Sequence, residues 1–90
     1  MIRVIRFSGG LLVQGHADFA PRGQDLVCAA VSILTETLRK TFPTGDSQMG
    51  EGFASFRFAE PSPEVEFVCR GLRLLEKAYP FCICFQDKRR

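Results

Sequence analysis

The chain has little charge imbalance, no long apolar run and no low-complexity stretch, and each shortage removes a class of function. Its net charge is only +2 at pH 7, whereas nucleic-acid binders usually carry a pronounced basic stripe. No direct contact with nucleic acid is therefore expected. The one basic cluster, Lys88-Arg89-Arg90, reads as a solvated tail. No uncharged run approaches the ~20 residues that a transmembrane helix needs, so no membrane partner is expected. The stretch from Met1 to Phe7 alternates like a strand and lacks the apolar run of a signal peptide. The protein is accordingly expected in the cytoplasm, where thiols stay reduced. Its four cysteines are read first as free thiols. The chain also lacks a Cys-x-x-Cys at a helix start, which weighs against a disulfide-exchange enzyme.

What is present suits one small globular domain spanning residues 1–90. Apolar residues make up 46% and charged residues 24% of the chain, as in ordinary soluble domains. A domain of this size buries only about 60% of the surface its unfolded chain exposes. Its core is therefore a single layer of contacts between a small sheet and one or two helices.

Hydrophobic spacing orders the elements. Residues 2–7 alternate as a strand, with Ile2, Val4 and Arg6 sharing one face. Ser8-Gly9-Gly10 is a hairpin turn, and residues 11–15 form the second strand, with His16 at its end. Pro21 and Gly23 break the next stretch into a loop. Asp25 is placed to cap a helix whose buried face is Val27, Ala30, Val31, Leu34 and Leu38. That helix runs to about Lys40, and Phe42-Pro43-Thr44-Gly45-Asp46 stops it. Residues 41–52, with two glycines past that stop, are expected to form a loop. Residues 53–58 read as a strand. Ser62 caps a second helix with Pro63 at its first position and an apolar stripe of Val65, Val68, Leu72, Leu75 and Tyr79. Pro80 ends it, and Phe81, Ile83 and Phe85 form one face of a last strand. The expectation is an α+β two-layer sandwich, β-β-α-β-α-β, with two helices on one face of a four-stranded sheet.

The chemistry is concentrated between Gly15 and Ser32. This stretch holds the only histidine, His16, and places Cys28 in the first turn of the helix that Asp25 caps. Unsatisfied N–H groups and the positive dipole end stabilise a thiolate there. An imidazole beside it would form an ion pair and later protonate a departing amine. Free N–H groups at the helix start could hold the oxyanion of a tetrahedral intermediate. Spacing alone leaves open a surface histidine beside an inert buried thiol. Asp25 serves either as cap alone or also as a third catalytic group. Ser32, one turn beyond Cys28, either bonds near the site or serves the helix itself. Gly23 suits the turn into the helix and Gly15 a close approach beside His16. Cys69, Cys82 and Cys84 read as core thiols, with a zinc site as the rival reading.

The block Gly15-His16-Ala17, Phe19-Ala20, Gly23, Asp25-Leu26-Val27-Cys28-Ala29-Ala30-Val31-Ser32 resembles the signature of the ribosomal-processing cysteine protease family, Prp. Length and element order agree over essentially the whole chain, with Gly71-Leu72 and Tyr79-Pro80 as further points of pattern. The resemblance implies a catalytic dyad of Cys28 and His16, with no cofactor or metal. It implies a mobile loop between the two that closes over substrate, with Asp18 and Arg22 at variable places within it. It further implies removal of an N-terminal extension from a large-subunit ribosomal protein after an aromatic residue, in support of ribosome assembly, by a homodimer. The alternative is a catalytically silent peptide-binding or ribosome-associated module of the same fold.

Overall fold

The computed structural model describes residues 1–17, 20–21, 25–42 and 46–89. Among the described residues, seven elements follow one another: β1 (Ile2–Phe7), β2 (Gly10–Gln14), α1 (Leu26–Thr41), β3 (Ser47–Gly50), β4 (Phe53–Arg57), α2 (Pro63–Ala78) and β5 (Ile83–Asp87). The fold is α+β, as expected, but the sheet has five strands in the order β3-β4-β2-β1-β5.

The extra strand is β3, which lies inside the stretch expected to be a loop. It pairs antiparallel with β4, Ser47 opposite Phe56 and Met49 opposite Ala54. Four residues that include serine, glutamine and glycine have weak strand preference of their own. Pairing and the half-burial of Ser47 and Met49 hold them extended. A second correction concerns the last strand, which begins at Ile83 rather than Phe81. The Cys82 N–H donates to the Tyr79 carbonyl at 2.9 Å, closing a turn that leaves Phe81 90% exposed. β5 then pairs parallel with β1, Ile2 opposite Ile83, a connection that α2 makes possible by crossing the sheet.

Alternation fills one sheet face with Ile2, Val4, Leu11, Val13, Ala54, Phe56 and Ile83. Both helices pack against it and against each other. α1 contributes Val27, Val31 and Leu38, and α2 contributes Val65, Val68, Cys69 and Leu72. Each large apolar side chain buried this way stabilises the fold by about 1.5–3 kcal/mol. The helices begin where the sequence predicts: the Ser62 hydroxyl accepts from the Val65 N–H, with Pro63 next. Arg6 shares the buried face of β1. Its guanidinium donates to Glu60 at 2.9 Å and Glu66 at 3.2 Å and lies over the Phe58 ring. This pins the end of β1 to the β4–α2 connection and to α2. The opposite end of the sheet, where β2 runs toward α1, is where the chemistry-bearing residues meet.

Candidate active site

The site forms where β2 stops. Gly15 takes φ +101, a backbone conformation that glycine adopts without strain. A β-carbon on it would run into the carbonyl of Met1. The close approach at Gly15 is thus to Met1, and it turns the chain so that His16 stands exposed. Ala17 then returns to the core, 3% exposed, and its backbone N–H donates to Cys28 Sγ at 3.3 Å.

Cys28 reaches the same place from the helix side. Asp25 is the N-cap, with extended backbone (φ −81, ψ 102), and its carboxylate accepts from the Cys28 N–H at 3.0 Å. The Ala29 N–H donates to the Asp25 carbonyl, also at 3.0 Å. Cys28 is the third helical residue and is partly buried. The Asp25 carboxylate is the acidic group at the positive dipole end, with none in the first turn after it, while Arg39 and Lys40 sit at the other end. The capping changes one expectation. The Cys28 N–H is committed to Asp25 and the Ala29 N–H to the helix, so the N–H aimed at the sulfur comes from Ala17, outside the helix.

Gly15, His16, Asp25, Cys28 and Ser32 all line one cavity of about 690 Å³. Gly23, Asp18 and Arg22 lie outside the described residues, as does most of the loop between His16 and Asp25. The rest of the lining was not legible from the sequence: Glu36 of α1, then Met49, Glu51, Gly52 and Phe53 of the β3–β4 hairpin. Gly50-Glu51-Gly52 did carry a turn signal. Its flanks were too short and polar to show a hairpin that returns to the histidine.

The other thiols differ in setting. Cys69 is buried on α2, and desolvation pushes its pKa up to about 11 from an ordinary 9.0. Cys84 of β5 and Cys82, in the turn before it, are partly buried. Among the described residues, no group of three His, Cys, Asp or Glu side chains is placed to hold a metal ion.

The model of the cysteine protease Prp family matches residues 3–83. The chain belongs to the Prp family of cysteine proteases. The ribosomal processing cysteine protease Prp of Mycoplasma pneumoniae is 32% identical over 98 residues, covering 100% of this chain and 98% of that protein. The fold is shared with the Prp of S. aureus, crystallised with a covalently linked product peptide. That match has a TM-score of 0.82 at 20% identity and covers 98% of this chain and 100% of the other. It is also shared with a Streptococcus mutans protein at TM-score 0.71 and 23% identity, covering 99% of this chain and 93% of the other. Membership of the Prp family fits a chain in which one thiol sits at a helix N-terminus beside a cavity. Among the described residues, no helix is long and apolar enough to cross a membrane.

Proposed function

We propose that this Prp-family chain is an endopeptidase that removes the N-terminal extension of a large-subunit ribosomal protein, with Cys28 as nucleophile and His16 as its base. The observation that carries the reading is the cavity that both residues line, with the sulfur at a helix N-terminus and accepting the Ala17 N–H. The helix end and that N–H stabilise negative charge on sulfur. The thiolate attacks the scissile carbonyl carbon, forming a C–S bond as the carbonyl oxygen takes the negative charge. Collapse of this intermediate breaks the C–N bond, and His16 donates a proton to the departing amine. His16 then takes a proton from water, which attacks the acyl-enzyme and frees Cys28.

In this reading Asp25 orients the first turn through the Cys28 N–H, and Ser32 borders the groove along α1. The substrate is an extended peptide with an aromatic side chain before the cut. No metal or cofactor takes part, and the enzyme works in the cytoplasm toward ribosome assembly. The ribosomal processing named for the relative of M. pneumoniae and the product peptide linked to the S. aureus protein support the substrate class. A homodimer is part of the proposal, supported by exposed apolar residues such as Phe67 and Phe81.

The test is cleavage of the matching ribosomal precursor, read by mass spectrometry. Wild type should give a single cut after an aromatic residue. Cys28→Ala should abolish it, and His16→Ala should slow it by about 10²- to 10⁴-fold. A precursor bound but left uncut by reduced wild-type protein would favour the silent binding module instead.

A further inference from the structure

We infer that Gly52, in the turn of the β3–β4 hairpin, is a positioning residue for His16. The inference rests on the reading of His16 as the base of Cys28. Gly52 has φ +68, and a β-carbon built on it would lie 2.8 Å from His16 Nε2 and 3.1 Å from Cε1. The edge of the imidazole therefore rests on the α-carbon of Gly52, in space that only glycine leaves open. The same residue holds the chain before the histidine, because its carbonyl accepts the Gly15 N–H at 2.9 Å. One strand pair further in, Gln14 of β2 faces Phe53 of β4. The turn is thus tied to the backbone on the approach to His16 and touches the ring itself.

His16 is exposed, and an exposed imidazole with two free side-chain torsions would sample several rotamers. A wall on one edge removes some of them before substrate arrives, and that preorganisation belongs to the transition-state geometry. Neither His16 nor Gly52 belongs to the apolar core.

The test separates ring displacement from backbone strain. Asparagine accepts a left-handed backbone better than most residues but still carries a β-carbon. Gly52→Asn is compared with Gly9→Asn, since Gly9 has a similar φ of +72 in the β1–β2 turn and its β-carbon would meet only the Phe58 carbonyl, at 3.3 Å. The readout is the pH profile of Cys28 alkylation by iodoacetamide without substrate, with His16→Ala assigning the histidine-dependent limb apart from Asp25, Glu36 and Glu51. Gly9→Asn should keep the wild-type profile. Gly52→Asn should shift the limb toward that of His16→Ala and lower kcat by about 100-fold. A wild-type profile in Gly52→Asn overturns the inference and leaves the dyad standing. An unchanged profile in His16→Ala overturns the dyad, and the positioning role with it. The wild-type protein supplies a measurement that no unfolded variant can spoil: an NOE between the Gly52 α-protons and His16 Hε1. Its presence is expected, and its absence rejects the contact.

Discussion

The backbone N–H of Ala17 points at the sulfur of Cys28, 3.3 Å away. It is the amide of the residue after His16, so the segment that carries the imidazole also supplies a donor to the thiol. A thiolate accepts such a bond more strongly than a thiol does.

Replacing the His16–Ala17 amide by an ester, through chemical ligation, removes that donor and leaves every side chain in place. Alkylation of Cys28 at pH 6 should slow by about tenfold, the equivalent of about 1.4 kcal/mol, near the lower end of what hydrogen bonds to charged groups contribute. An unchanged rate would show that the N–H does not stabilise the thiolate.

Asp25 can be separated into its two possible roles by a pair of variants. Asparagine caps helices about as well as aspartate, whereas alanine loses roughly 1 kcal/mol. Asp25→Ala should therefore lower unfolding stability by about that amount, and Asp25→Asn should stay close to wild type. Peptide cleavage should follow the same order, with Asp25→Asn active. A stable but inactive Asp25→Asn enzyme would instead assign the carboxylate a part in the chemistry.

Acid should weaken the fold through Glu60. The hydrogen bond from Arg6 first, then the Gly9 N–H, hold its carboxyl below the ordinary 4.5. The folded chain thus binds this proton less readily than the unfolded one. Stability from the pair is present above the ordinary pKa and is lost as pH falls through the lower folded value. Urea midpoints measured from about pH 5 to 3 should fall, and less steeply in Glu60→Gln. Asp87, held low by Arg89, supplies part of the remaining slope. Identical slopes for the two proteins would show that Glu60 is not a source of the acid sensitivity.

Thiol mapping should distinguish Cys69 from Cys28. With its pKa pushed up to about 11 and its side chain buried, Cys69 should resist iodoacetamide at pH 8 in native protein. It should react only once the chain is unfolded, while Cys28 labels in the native state. Equal labelling of the two in folded protein would contradict this assignment.

Much of the molecule was legible because the signals were local. Helix starts at Asp25 and Ser62 depend on a capping side chain and the three residues after it. The β1–β2 hairpin depends on Ser8-Gly9-Gly10, and both helix stripes on spacing of three and four. Arg6 could be placed on the buried face of β1 by alternation, although the carboxylates that make its burial tolerable are 54 and 60 residues away. The start of β5 was misread because Phe81 fits the alternation. A turn bond from Cys82 to Tyr79, which no pattern of apolar residues encodes, ends that alternation before the strand begins.

The sequence by itself determined the α+β class, the two helices and their caps, and a thiol in the first turn of α1 with the histidine at the end of β2. These follow from propensities, side-chain periodicity and hydrogen bonds between residues a few positions apart. Only the tertiary structure decided the fifth strand, the parallel seat of β5 beside β1, and the part that Met49, Glu51, Gly52 and Phe53 take in lining the cavity that Cys28 also lines. A four-residue polar strand has no burial of its own to announce it. It exists because β4 offers an open row of backbone donors and acceptors, and that pairing brings Gly52 against the imidazole of His16.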